Sequence, residues 1–222
     1  MDDKPLGELY DPQASLAISR HNRPHWSQAG AIVFITFRTA DSVPRDVLQR
    51  WDRQKNHWIH RHTGIELPWR DALQKLGRSD LNRFHREFNR CRETYLDCCH
   101  GRCVLRQPEL AKIVANSLLH FDGDRYCMGD FIVMPNHVHL LASFASEDSL
   151  VAQLDSWLHF TARQINRALN QTGKFWQQEP FDHLVRSPEQ YEYLRKYIRD
   201  NGKKAGLKRG EYLYRRYGKQ RD

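Results

Sequence analysis

Residues 134–141 read Met-Pro-Asn-His-Val-His-Leu-Leu. The aliphatic run around His137 and His139 predicts a strand, in which successive side chains alternate between the two faces. His137 and His139 then share one face, about 7 Å apart, while Val138 and Leu140 enter the other. Two imidazoles on a rigid strand are half of a metal site. The pair alone is a weak signal, because polar residues on a solvated sheet face produce the same spacing.

A second chemistry-bearing segment lies at residues 187–202, Ser-Pro-Glu-Gln-Tyr-Glu-Tyr-Leu-Arg-Lys-Tyr-Ile-Arg-Asp-Asn-Gly. Ser187 predicts a helix N-cap, Pro188 suits the first helical position, and Gln190 completes a capping box. Asn201-Gly202 predicts the stop. At about 100° per residue, Tyr191, Leu194 and Ile198 form the buried stripe. Tyr197 falls on the edge of that stripe, with Asn201 one turn later on the same side, and Tyr193 points further toward solvent. Tyr197 and Asn201 can therefore both reach over a sheet, whereas Tyr191 packs. The bland alternative for Tyr197 is an ordinary boundary aromatic.

The cysteines offer less. Cys91, Cys98, Cys99 and Cys103 cluster, and Cys127 stands apart. An odd count argues against a disulfide framework. The cluster lacks a C-x-x-C pair, and adjacent residues on a helix converge poorly on one ion. Buried or partly buried thiols are the expected state.

The elements that must position these groups follow from periodicity. Residues 31–38 (Ala-Ile-Val-Phe-Ile-Thr-Phe-Arg) predict the first strand, entered by a loop at Arg23-Pro-His-Trp26. Residues 44–104 predict a mainly helical insertion, broken near His62-Thr63-Gly64 and at Leu67-Pro68. Pro108 opens an amphipathic helix to about residue 120. Residues 126–134 and 137–144 predict two strands joined tightly around Pro135-Asn136, since Pro135 cannot donate to a central ladder. A helix capped at Ser149 or its neighbours runs to about residue 170, and a short strand follows at 181–185. Strand, helix, hairpin, helix, strand, helix predicts an α+β fold: a ferredoxin-like antiparallel sheet with helices packed on one face, plus the helical insertion.

Length and charge bound the function. The 222 residues suit one domain with a sizeable insertion. Lys and Arg exceed Asp and Glu by enough to give a formal net charge of +8. That excess favours a polyanionic partner, because basic side chains on phosphates release condensed counterions. No stretch approaches the roughly 20 apolar residues of a membrane span, no basic amphipathic helix suited to a lipid surface is visible, and the acidic N-terminus lacks a signal-like apolar run. A cytoplasmic protein with no membrane partner is expected.

Together, the TFR of the first strand, MPNHVHLL, FWQQ, FDHLVR and the terminal YIRDNGKKAGL resemble the REP-associated tyrosine transposases, a branch of the single-tyrosine HUH transposases. The likeness covers residues 23–207 in order, the insertion excepted, with 208–222 left as a basic C-terminal tail. It implies that His137 and His139 are the HUH histidines, Tyr197 the nucleophile, and Asn201 the third metal ligand. It further implies a divalent ion, Mg²⁺ or Mn²⁺, and a single-stranded or hairpin DNA partner cut through a 5′-phosphotyrosine. Two departures stand out. Family members commonly have Asn-Pro where this chain has Asn201-Gly202, which bears on the path of the tail. The 44–104 segment exceeds the minimal domain and leaves monomer or homodimer open.

DNA contacts are expected from Arg195, Lys196, Arg199, Lys203, Lys204, Lys208 and Arg209 around the tyrosine, with Tyr212, Tyr214 and Tyr217 interleaved in the tail. A disordered tail is the alternative after about residue 210. His183 and Arg186 lie in family-like segments and are candidates to guide DNA. Trp176 is expected in the core. Two rival readings use the same sheet: a catalytically silent module that only binds nucleic acid, and a metal-dependent phosphohydrolase. The first would stack bases on sheet aromatics, where this chain has histidines. The second would need further ligands, and no second H-x-H or H-x-T supplies them.

Overall fold

The computed structural model of the chain describes residues 6–14, 17–20, 24–177 and 180–218. Arg23 and Gln178, quoted above, and residues 219–222 of the basic tail lie outside the described residues. In chain order the elements are β1 (Ala17–Arg20), β2 (Pro24–Ser27), β3 (Ile32–Arg38), α1 (Arg45–Thr63), α2 (Trp69–Ala72), α3 (Arg78–Asp97), α4 (Pro108–Leu119), β4 (Tyr126–Val133), β5 (His137–Phe144), α5 (Glu147–Ala168), β6 (Phe181–Leu184), α6 (Pro188–Lys204) and β7 (Leu213–Arg215). Two compact units result, one of residues 1–40 with 103–222 and the other of residues 41–102.

The larger unit is built on a five-stranded sheet in the order β6-β3-β5-β4-β7, with every neighbouring pair antiparallel. Its first four strands, with α4 and α5 as crossovers, make the ferredoxin-like arrangement. Alternation decides what each face holds. Val33, Ile35 and Phe37 of β3 and Val138, Leu140, Ala142 and Phe144 of β5 point into one core. Leu110, Ala111, Val114 and Leu118 of α4 and Leu150, Leu154, Trp157 and Ile165 of α5 close over them. Each large side chain so buried contributes on the order of 1.5–3 kcal/mol. Trp176 belongs to this core as expected: its indole donates to Thr161 Oγ1 at 2.8 Å and its ring stands edge-on to Phe37. The α5 cap is Ser146, with Ser149 reciprocating at the third helical position.

Three details differ from the sequence reading. Residues 24–27, expected as a loop entry, form β2 and pair with β1 in a separate two-stranded ladder. Within β4 the register shifts between Met128 and Phe131, so three residues on β4 span two on β5. The extra residue turns Asp130 away from the α4–α5 core, as bulges do. The basic tail contributes β7, whose Tyr214 pairs with Ile132 at the sheet edge.

The last helix lies over the opposite face of the sheet. It does not stop at Asn201-Gly202 but runs on to Lys204, and the left-handed residue that ends it is Gly206. Gly202 serves a different purpose: a Cβ there would lie 2.6 Å from two atoms of the Tyr212 ring. Glycine inside the helix lets the returning chain approach closely enough for β7 to join the sheet.

The smaller unit is helical. Gly64 in the left-handed region ends α1, and Pro68 precedes α2, where the breaks were expected. Trp58 and Ile59 of α1, Ala72 of α2 and Phe84 of α3 form its core, and Val43, Val47 and Leu96 form a second cluster. The five cysteines are free thiols; Cys99, Cys103 and Cys127 are partly buried, but Cys91 and Cys98 are exposed where burial was expected. Among the described residues, no helix is long and apolar enough to cross a membrane.

Alanine ordinarily favours a helix over glycine by about 1 kcal/mol, yet Gly202→Ala should destabilise this protein by about 1–3 kcal/mol through overpacking. Urea unfolding reads this as a lower midpoint at unchanged slope. In a Tyr212→Ala background the same change should turn stabilising. A loss of equal size in both backgrounds would remove the Tyr212 ring as its cause.

Candidate active site

The tight turn between β4 and β5 is closed by the Met134 amide donating to the His137 carbonyl at 2.8 Å. Its backbone is tied down from outside, because Thr39 donates to the Asn136 carbonyl and Leu105 to that of Pro135. The Asn136 side chain then reaches His137, with Oδ1 2.7 Å from Nδ1. Accepting from Nδ1–H leaves Nε2 as the nitrogen with the lone pair, the tautomer a metal ligand requires. Complete burial pushes the His137 pKa down to about 3, so the ring is neutral at physiological pH.

His139 is also fully buried. On one side its Nδ1 lies 2.8 Å from Thr36 Oγ1, its cross-strand neighbour on β3. On the other its Nε2 lies 3.3 Å from the Tyr197 hydroxyl. The two imidazoles meet edge to face with centroids 4.6 Å apart, and one ring nitrogen of each lies within 4.8 Å of the other, close enough to share an ion. Both rings face α6, while Val138 and Leu140 enter the α4–α5 core as the alternation predicts.

Tyr197 lies deeper than the edge position assigned from the helical wheel and is only 8% exposed. Its ring meets His139 at 5.1 Å and Phe34 at 6.2 Å. Asn201, one turn later, is fully buried. Tyr191, expected to pack, is only half-buried, yet burial still pushes its phenol up to about 12 against a smaller pull from Arg195. Tyr193 is 65% exposed.

The basic residues divide into two groups. Arg195 is committed to the structure: its Nε donates to Asp130 Oδ2 at 2.9 Å, with Glu192 at 3.3 Å. Burial works against that guanidinium, but the hydrogen bond and charge of Asp130 outweigh it and hold the pKa above its ordinary value. Asp130 also accepts from the Tyr217 amide. Arg199 pairs with Asp200 at 3.0 Å. Lys196, Lys203, Lys204, Lys208 and Arg209 are exposed, and the Lys204 ammonium lies 5.4 Å from the Tyr197 ring centroid. His183 joins the aromatic row from the far side, 5.2 Å from Phe34, which itself stacks on His139 at 5.5 Å. Arg186 is exposed at the turn into α6, 5.8 Å from the Tyr10 ring.

Thr36, Asn136 and Asp130 received no role from sequence. Thr36 and Asn136 sit inside the quoted TFR and MPN segments, so proximity to a histidine was the available signal. The register that sets Thr36 opposite His139 was not readable. Asp130 depends on a bulge that leaves no mark in the hydrophobic pattern.

No protein-family model matches the chain, and none of the curated proteins does. Among solved structures it is similar to one described as a REP-associated tyrosine transposase bound to a REP hairpin, with 12% sequence identity and a TM-score of 0.44. The match covers 86% of this chain and 76% of that one, and the likeness is remote.

The buried His137 has a consequence for pH. Its folded pKa is depressed, so between about pH 6.5 and 3 the unfolded chain takes up a proton that the fold excludes. Stability contributed by this group is intact above about pH 6.5 and falls as the pH drops. Urea unfolding at pH 7.5 and 5 should show a loss of about 2 kcal/mol from His137. His137→Gln should lose about that much less over the same interval. Identical losses would mean that the imidazole takes its proton within the folded protein.

Proposed function

We propose that this protein is a metal-dependent single-stranded DNA nickase and strand transferase, acting through a 5′-phosphotyrosine on Tyr197. One observation carries the reading: two segments 58 residues apart place a phenol hydroxyl 3.3 Å from His139 Nε2, beside a second imidazole on the same strand. A buried tyrosine at an H-x-H pair is more than a boundary aromatic needs to be. The reading takes residues 23–207 as one catalytic domain interrupted by 44–104, with 208–222 as its basic tail.

His137, His139 and Asn201 are the residues that would hold the ion. They fit: one imidazole is neutral with its tautomer fixed by Asn136, the other lies beside it, and a buried amide follows Tyr197 by one turn. Two nitrogens and an amide oxygen, set against a phosphate substrate, suit a hard ion such as Mg²⁺ or Mn²⁺. When bound, such an ion offsets charge on the scissile phosphate as a Lewis acid.

The chain's own groups supply the rest. A free phenol has a pKa near 10 and is mostly protonated at neutral pH. The Lys204 ammonium lies over the Tyr197 ring, 5.4 Å from its centroid, where it would offset negative charge gathered at the reacting phosphate. Tyr197 Oη forms a bond to phosphorus, the P–O3′ bond breaks, the phenol proton is lost and the departing 3′ oxygen gains one. The ester keeps the phosphodiester energy, so a second 3′-hydroxyl can reverse the step and join strands without water. Lys196, Lys203, Lys208 and Arg209 are placed to hold the backbone by charge, with Arg195, Arg199, His183 and Arg186 as further candidates.

Covalent trapping tests this directly. Hairpin and single-stranded oligonucleotides taken from beside the gene, with Mn²⁺, should give a slow-migrating adduct on a denaturing gel. Tyr197→Phe and the His137→Ala/His139→Ala double variant should each abolish it. Binding without an adduct across several such oligonucleotides would favour the silent binding module, and metal-dependent cleavage without an adduct the phosphohydrolase.

A second expectation concerns the metal alone. The Tyr197 hydroxyl and an ion would compete for His139 Nε2, so Tyr197→Phe should bind Mn²⁺ at least as tightly as wild type in calorimetry. Ten-fold weaker binding by Tyr197→Phe would make the phenol a ligand and overturn the competition.

A further inference from the structure

Tyr193 is the most exposed of the large apolar side chains among the described residues. It lies one helical turn before Tyr197, and the two rings are nearly parallel, 15° apart in plane with centroids 6.5 Å apart. An aromatic ring left mostly in water loses the burial that normally stabilises it. Its place beside the buried phenol is therefore what needs a reason. At about 100° per residue, Tyr193, Tyr197 and Lys204 fall within about 40° of one another around α6. One stripe of the helix thus presents an exposed π face, a hydroxyl directed at His139, and an ammonium 5.4 Å from the ring between them. Lys196 and Lys203 are exposed on the same helix. Alternating aromatic faces and cations are what a single strand requires, since every base has a π face and every linkage a charge.

We propose that Tyr193 is a stacking platform for the nucleobase next to the phosphate that Tyr197 attacks, fixing the strand on α6 so that this phosphate lies over the two histidines. It is a positioning residue, and the proposal rests on the reading of Tyr197 given above. The near-parallel rings would hold a stacked base roughly parallel to the Tyr197 ring. Because stacking ignores base identity, Tyr193 contributes grip and register, with sequence choice left to other contacts.

The test separates stacking from charge and from chemistry. Two fluorescein-labelled probes are used on the full chain without metal: a 20-mer of thymidylate and an abasic 20-mer of equal charge. Wild type should prefer the thymidylate strand. Tyr193→Ala should weaken thymidylate binding on the order of tenfold and leave abasic binding unchanged. Tyr193→Phe and Tyr193→Trp should keep the wild-type affinity. Where the adduct forms, Tyr193→Ala should raise the DNA concentration for half-maximal rate more than it lowers the maximal rate.

The proposal is overturned if Tyr193→Phe loses as much as Tyr193→Ala, which would assign the role to the hydroxyl. Equal weakening on both probes, or no weakening on either, overturns it as well. These binding arms need neither metal nor adduct. A protein that stacks bases on Tyr193 but forms no adduct would sink the strand-cleavage reading alone.

Discussion

Burying an imidazole costs free energy unless its nitrogens find partners, and β5 buries two of them side by side. Each partner is supplied by a different part of the chain: Asn136 by the turn, Thr36 by β3 and Tyr197 by α6. The turn must therefore be tight enough to aim Asn136 back at His137, β3 must hold its register so that Thr36 faces His139, and α6 must lie across this face. The core on the opposite face is indifferent to these polar demands. It fixes the sheet through Val138 and Leu140, and the same alternation that buries them delivers the histidines to α6.

Holding α6 in place is the harder task, because the helix is mostly polar and buries few side chains. Leu194 and Ile198 give it an apolar seam, and Asp130 adds a directional lock by taking the Arg195 guanidinium on one oxygen and the Tyr217 amide on the other. A buried carboxylate is costly alone and tolerable only with such partners. The bulge in β4 is what turns Asp130 toward them. With Tyr212 lying against Gly202, the returning C-terminal segment grips the helix that carries Tyr197. The basic tail therefore has a structural part before any contact with DNA is considered.

The parts of this arrangement governed by local periodicity were legible in the sequence. Alternation in residues 137–144 and the 3.6-residue period of α4 and α5 gave the sheet and its covering helices. The cap at Ser187 and the position of Tyr197 relative to Asn201 followed from simple rules. Gly202 was misread because a glycine after asparagine usually signals a helix end, and only the Tyr212 ring, ten residues on, reveals the other use. Tyr197 was placed too near the surface because a helical wheel ranks faces against an average core and cannot know that imidazoles lie beneath. β7 was missed because three residues among many charges leave no period to detect.

The distribution of charge around α6 bears on how DNA could be held without being read. Arginine forks suit bidentate, geometry-specific recognition, but Arg195 and Arg199 already bond to Asp130 and Asp200. The exposed cations nearest Tyr197 are mainly lysines, mobile point charges that follow a phosphate backbone and discriminate little between sequences. On the reading proposed above, specificity for a particular strand would come from its shape or from contacts away from α6. His183, joined to His139 through Phe34, and Tyr193, joined to it through Tyr197, are the proposed DNA contacts tied by aromatic rows to the buried pair.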